Sequence, residues 1–440
     1  MFTRKKLLSL LMIITLSIAI GLLSNIDLIY NSIFYKHSVS SVKDAFFILL
    51  IIFLGFLLVY YIAPKRVFKI VLIGYVLRIL VLLLIAIYDI LPYAFDTQWH
   101  EISYYLLDDW KKGILNLDTN TGTNVKYYTL LTTFVYFVFG YNPIYMMLAN
   151  VIFGTITLVF VYKMALKLFS NNQVAVIGLL IMTFWPTHIL FSAMHMRDSL
   201  STLLIVLLMY EFIKWMDNSN LKHLFFCFLL LLLNALIREQ NALLNLVSIA
   251  PFYLYLSVKK SNKLLVPVII QLSIISVFTI FVFLSLSGFL DKVSLDYFVR
   301  EMSWRTKGEA LYLEWMTYNS WFDILLYSPI RIFYFMYTPF IWTVTDLTQF
   351  LSFLESSFLL LISLFILLNF RRAFISTEKK IQLLFILAFL MIGIAANASI
   401  DSNVGTAIRH KLQYLHVLFI LFSYVYYVKR NHIVQSNKRK

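Results

Sequence analysis

The sequence predicts an all-α protein that threads a membrane about twelve times, and three observations predict it. Apolar residues make up 61% of the 440 and aromatic residues 17%, while only 13% are charged, about half the share of a soluble domain. Apolar runs close to twenty residues long recur along the chain, the length of helix that crosses a hydrocarbon core. Alternating ten-residue segments, the mark of an outer-membrane barrel, are absent, so the backbone must satisfy itself within helices.

Taken in order, the predicted spans are 7–23, 45–63, 70–90, 143–168, 173–192, 198–216, 222–237, 241–257, 264–287, 351–370, 381–398 and 412–428. The first, within "MFTRKKLLSLLMIITLSIAIGLLSN", has the basic and apolar regions of a signal peptide but no clear small-residue cleavage site, and is read as a retained span. Placing Arg4, Lys5 and Lys6 inside makes both termini cytoplasmic. The seven inner segments then hold 22 of the 37 Lys and Arg against only Glu211, Asp217 and Glu378, as the positive-inside rule requires. The stretch "KYYTLLTTFVYFVFGYNP", 126–143, has only about a dozen consecutive apolar positions before Gly140 and Pro143, too few to cross. It is read as a re-entrant or interfacial helix, which keeps Lys163 and Lys167 inside.

Residues 1–440 thus form a single integral membrane domain with two large outer loops, 91–142 and 288–350, and short outer corners near 193–198, 238–241 and 397–411. Trp304, Trp315, Trp321 and Trp342 in the second loop suit helices lying at the headgroup level, or simply an aromatic belt. The formal charge of +15 would suggest nucleic acid in a soluble chain, but here it is concentrated at the inner face, beside membrane lipids, and no nucleic-acid partner is expected. Cys227 is the only cysteine, so no disulfide or cysteine metal site can form within the chain. His188 and His195 lack a spacing that joins them to other ligands, and neither a metal nor a cofactor is expected.

Chemistry is expected at the outer face. Asp96 and Glu101 follow directly on the third span, at the membrane surface, where a carboxylate can act as general base. Asp96 could equally cap the helix that follows it, and Glu101, Asp108 and Asp109 could be members of a solvated face. At the corner between the fifth and sixth spans, Arg197 could face a phosphate with Asp198 holding it, or Asp198 could be the N-cap with Arg197 as its pair. Arg238, in the polar break "REQN", could serve the same anion or the C-terminal dipole of its own helix. Arg78, nine residues into the third span, lies within snorkelling reach of the inner headgroups.

Arg409, His410 and Lys411 begin the last span on its outer side, against both the positive-inside rule and the helix dipole. An anion at that helix start would explain them, with Gly405 and Thr406 admitting it to the backbone. Ordinary lipid phosphates, or a carboxylate such as Asp401, would explain them too. A membrane-level acid together with cations at three outer corners describes a site where a carboxylate deprotonates an acceptor hydroxyl while cations stabilise a departing lipid phosphate.

From "FDTQWHEISYYLLDDWKKG" through "YYTLLTTFVYFVFGYNPIYMMLANVIFGTITLVFVYKMALKLFSNNQVAVIGLLIMTFWPTHILFSAMHMRDSLSTLL", the chain resembles the N-terminal half of the GT-C-type membrane glycosyltransferases, the class that includes protein O-mannosyltransferases and the aminoarabinose transferase of lipid A. The shared order is an acidic first outer loop, an interfacial helix ending in Phe-Gly, a span finishing Tyr-Lys, then a span with Pro and a polar corner. "SPIRIFYFMYTPFIW" and "NVGTAIRHK" look like segments of bacterial polysaccharide-related members. The resemblance implies a GT-C-like fold in the cytoplasmic membrane of a bacterium, a polyprenyl-phosphate-linked sugar donor, a lipid-linked or surface glycan acceptor, inversion at the anomeric carbon, and Asp96 as the base. The chain departs from the pattern in carrying Asp-Thr where an Asp-Glu pair is common, and in having two extra spans before the first outer loop.

Two other functions fit the charge layout. A lipid-linked polysaccharide polymerase or ligase would show an Arg, ten intervening residues and then a Gly, which is not found after Arg300, Arg305 or Arg409. A lipid-linked sugar transporter or flippase would show two related halves with Gly- or Pro-interrupted spans, and the chain, with 12 Gly and 8 Pro, shows no such symmetry.

Overall fold

The computed structural model describes residues 41–88, 98–119, 123–259, 294–306, 310–345 and 347–437. Its regular elements are helical: α1 (Ser41–Ile62), α2 (Phe68–Tyr88), α3 (Gln98–Lys111), α4 (Thr123–Phe139), α5 (Pro143–Phe169), α6 (Asn172–Phe184), α7 (Pro186–Ala193), α8 (Asp198–Asn218), α9 (Leu221–Ile237), α10 (Glu239–Lys259), α11 (Leu295–Arg305), α12 (Trp321–Tyr337), α13 (Leu347–Ser376), α14 (Lys380–Ala398) and α15 (Val404–Asn437). Among the described residues an antiparallel bridge joins Leu311 to Asn403.

Among the described residues seven helices are long and apolar enough to cross a membrane, or eight if α6 and α7 count as one span. The expected number of twelve is therefore larger than the described helices supply. Spans 7–23 and 264–287 lie outside the described residues. The predicted span 173–192 is broken: α6 and α7 meet at 59°, because Pro186 at the start of α7 offers no amide to the preceding turn. The predicted 222–237 is α9, a 17-residue helix shorter than a full span. The last predicted span, 412–428, is part of the 34-residue α15, which is not among the seven. The stretch expected to be re-entrant or interfacial is α4, which stops at Gly140 with φ +109°, a conformation that favours glycine.

The chain divides into two compact units, residues 1–159 with 183–203, and residues 160–182 with 204–440. In the first unit α2 packs on α1 and on α7, and α3 lies on α4. Small residues set these approaches: a Cβ on Gly154 would stand 2.5 Å from the Ser192 Cβ, so the two backbones sit closer than any larger residue would permit. Arg78 does not snorkel. It is fully buried, donating through Nη1 to the Gly74 carbonyl at 2.8 Å and through Nη2 to His188 Nδ1 at 2.5 Å. The α7 imidazole and a backbone oxygen thus hold a guanidinium that depth along its own helix would have sent to the headgroups.

In the second unit α13 and α14 pack along α15, and α12 packs across all three. A Cβ on Gly393 would collide with the Tyr414 ring, so this glycine lets α14 and α15 close on each other. Trp315, Trp321 and Trp342 are all exposed.

Candidate functional site

Among the described residues of the second unit a buried charge cluster surrounds Asp401, in the turn between α14 and α15. The carboxylate has no exposed surface. Arg305, the last residue of α11, donates through Nη1 to Oδ1 at 2.5 Å, and His410 donates through Nδ1 to Oδ2 at 2.6 Å. Arg305 also has Glu301 at 3.6 Å. Burial works to raise the Asp401 carboxyl, but the His410 ring and the Arg305 guanidinium outweigh it and bring it to about 2. Burial lowers His410 to about 4, Asp401 pulling the other way and Arg238 and Arg305 adding to the fall. The largest cause is burial, which penalises the imidazolium more than Asp401 favours it. His410 is therefore neutral at pH 7, its Nδ1 proton fixed on Asp401.

The turn itself is held by Arg331, which comes from α12 and is fully buried. Its Nε donates to the Ala398 carbonyl at 2.8 Å, and its Nη2 to the Asp401 carbonyl at 2.8 Å and to Ser402 Oγ at 3.1 Å. Tyr318 donates to the Ser399 carbonyl at 2.7 Å and lies beneath the Arg331 guanidinium, 5.6 Å from the ring centre. The bridge at Leu311 and Asn403 adds the Tyr312 amide to the Ser402 carbonyl and the Val404 amide to the Ala310 carbonyl, each at 2.9 Å. Ala310, Tyr312, Tyr318 and Arg331 are thereby fastened to the turn that leads into α15.

The three residues expected to greet an anion at that helix start are placed differently from one another. α15 begins at Val404, so Arg409, His410 and Lys411 lie past its first turn, away from the free amides. Those amides are in any case occupied, because Asn403 Oδ1 accepts from Gly405 at 2.8 Å and from Thr406 at 3.3 Å. His410 takes the alternative the sequence offered, pairing with Asp401. Lys411 is buried, and its ammonium donates to the Met336 and Thr338 carbonyls at 3.0 and 3.3 Å and to Ser356 Oγ at 3.5 Å. It closes the C-terminal end of α12, where cations suit the dipole. Arg409 is half-buried on the second turn.

Arg238 is buried at the C-cap of α9, its amide on the Asn234 carbonyl. Its charge works against a proton on His410, so this arginine does reach the same cluster. Asn241, three residues on, donates to Gln413 Oε1 at 2.7 Å and ties α10 to α15.

The remaining predicted residues belong to the first unit. Asp198 is fully buried in the first turn of α8, and the Arg197 carbonyl accepts the Ser201 amide, so Arg197 rather than Asp198 occupies the capping position. Their turn is set by Asn150, whose amide donates to the Met194 and Met196 carbonyls at 2.7 and 2.8 Å. Glu101 is exposed in the first turn of α3. That helix is anchored one residue earlier by His100, whose ring nitrogens meet the Tyr136 and Tyr141 hydroxyls at 2.7 and 2.5 Å. Asp96 lies outside the described residues. No group of three or more His, Cys, Asp or Glu among the described residues is placed to hold a metal ion.

Sequence reasoning missed Arg305 and Arg331 as members of the cluster. Arg331 had a signal, being the one charge in the apolar run "SPIRIFYFMYTPFIW". Arg305 had none, since its partner is 96 residues away.

A family model described as dolichyl-phosphate-mannose-protein mannosyltransferase matches residues 127–285. That stretch contains Arg197, Asp198 and Arg238. The chain matches no curated protein and no solved structure. The match covers residues 127–285 of the 440, and over that stretch the chain is similar to this family.

Proposed function

We propose that the chain moves a sugar from a polyprenyl-phosphate donor to an acceptor hydroxyl at the outer face of the bacterial cytoplasmic membrane, in the assembly or modification of a cell-surface glycan. The family match over residues 127–285 carries this reading. Asp96 takes the proton of the acceptor hydroxyl as that oxygen attacks the anomeric carbon. The bond from this carbon to the phosphate oxygen breaks with inversion, and the polyprenyl phosphate departs with the electron pair.

Within the second unit Arg238 and Arg409 are assigned to a lipid phosphate; within the first, Arg197 is assigned to a phosphate, with Asp198 holding it in place. What supports the role of Arg238 is its place beside the Asp401 cluster, where its charge acts on His410; Arg409 is half-buried on the second turn of α15, one residue before His410. Asp401, Arg305, His410 and Lys411 hold the start of α15 rather than binding substrate themselves.

The test uses membranes supplied with a polyprenyl-phosphate sugar. Asp96→Asn should lower transfer by about 10²-fold or more, the usual yield of a positioned base, with the protein still inserted. Full activity in that variant removes Asp96 as base. Arg238→Gln and Arg409→Gln should raise the donor KM, and an unchanged donor KM in both would reject the phosphate contact. The glycan lost from cells lacking the gene identifies the acceptor.

A further inference from the structure

A cavity of about 440 Å³ opens in the second unit where α13 ends and α14 begins. It is far from Asp401. The two lie at opposite ends of α14, whose 19 residues rise about 28 Å, close to the thickness of a hydrocarbon core. Its wall includes Arg372, Ser376, Thr377, Lys379, Tyr427 and His432. Beside them Tyr424 stacks on Phe169 with ring centres 3.9 Å apart.

The charge at this wall is positive. Asp217 is shared by Lys167 at 2.9 Å and Lys379 at 3.1 Å, which leaves one cation in surplus. Arg372 adds a second and Glu378, also exposed on the lining, offsets one, so the wall keeps a net charge of one positive. Ser170 and Tyr427 add hydroxyls around the same space, while the Ser376 hydroxyl is given to the Arg372 carbonyl at 2.9 Å. Cations and hydroxyls in a half-enclosed space suit a phosphate oxyanion.

What distinguishes a lipid phosphate from a free one is the helix face beneath Arg372. Leu361, Leu364 and Leu368 are 63%, 45% and 81% exposed, and with Arg372 and Ile375 they recur at intervals of three and four along α13. One face of the helix is thus an apolar track that ends at a guanidinium beside the cavity. Basic pockets between membrane helices are where acidic headgroups collect.

We propose that this cavity binds the phosphate headgroup of an anionic phospholipid from the leaflet opposite the Asp401 turn, with an acyl chain laid along the Leu361, Leu364 and Leu368 face. The site is separate from the sugar-transfer reading and stands or falls apart from it. The protein in nanodiscs of phosphatidylcholine doped with phosphatidylglycerol, read by native mass spectrometry, should retain phosphatidylglycerol selectively. Arg372→Gln should weaken that retention about fivefold, the worth of one basic side chain near an anionic headgroup. Should Arg372→Gln fail to fold, Ser376→Trp, which fills the cavity from an exposed position, must weaken retention instead. A photoactivatable phosphatidylglycerol should label residues 372–379 or 424–432. Equal retention of phosphatidylcholine, unchanged retention in the folded variants, or labelling confined to other regions would overturn the proposal. Displacement of the lipid by equimolar soluble glycerol phosphate would assign the pocket to free phosphates and overturn the lipid.

Discussion

Replacing Asp401 by alanine should destabilise the turn between α14 and α15 more than any other single truncation there. The wild-type carboxylate is fully buried and accepts from Arg305 at 2.5 Å and His410 at 2.6 Å. Its removal leaves the Arg305 guanidinium with only Glu301 at 3.6 Å, and strands the His410 Nδ1 proton away from water. Breaking a buried ion pair from one side costs about 3–5 kcal/mol, and an orphaned neutral donor about 1–3 kcal/mol. Glu301 offsets part of this as Arg305 turns toward it, so the net loss should be about 4 kcal/mol. The measurement is the unfolding free energy of the purified protein titrated with denaturing detergent, for Asp401→Ala, Arg305→Met and the double variant. The two single losses should exceed the double by about 2 kcal/mol, the signature of a directly coupled pair. A loss under about 1 kcal/mol for Asp401→Ala, or additivity within about 0.5 kcal/mol, would refute the reasoning.

Acid should weaken the same cluster. His410 is held near 4, below its ordinary 6.5, so its contribution is whole above 6.5 and is lost as pH falls toward 4, by roughly 3 kcal/mol. Asp401, held near 2 against an ordinary 3.8, withdraws its own share only below about 4. A pH series of unfolding midpoints should fall between 6.5 and 4 in the wild type and flatten there in His410→Gln; parallel curves would reject the neutral imidazole. Arg331→Lys should cost about 3 kcal/mol, because an ammonium cannot span the Ala398 and Asp401 carbonyls as the planar fork does. A thermal midpoint within error of wild type would refute that role. Gly393→Ala should cost about 1–3 kcal/mol by driving α14 off the Tyr414 ring. Gly178→Ala, whose nearest neighbour is Ser423 Oγ at 3.3 Å, should cost less, and the opposite order in thermal midpoints would contradict the packing described.

How much could be read from the sequence depended on how far apart the partners lie along the chain. The apolar runs that became α1, α2, α5, α8, α10, α13 and α14 were legible because a span declares itself within twenty consecutive residues. Pro186 marked the α6–α7 break in the same way, though reading 173–192 as one span ignored it. The pairing of His410 with Asp401 was visible as an alternative because nine residues separate them. Arg305 and Arg331 reach the same turn from 96 and 70 residues away, and no local pattern records that. Arg78 was misjudged for the same reason: depth along a helix suggested snorkelling, whereas His188, 110 residues on, decides where its charge rests. The start of α15 was misplaced because Asn403 was not recognised as the cap, and three cations were then given to amides it already satisfies.

The close seat of Tyr414 on Gly393 makes α14 a gauge as well as a strut. One end carries the Asp401 turn and the other the basic rim at Lys379 and Lys380, so the distance between two strongly hydrated layers is fixed by one 19-residue rod. A bilayer much thicker than that rod would have to thin around it or pull ionised groups into hydrocarbon. The surrounding lipid must therefore adjust its thickness to the protein, and chain length in a reconstituted bilayer becomes a variable that controls how well this unit holds together.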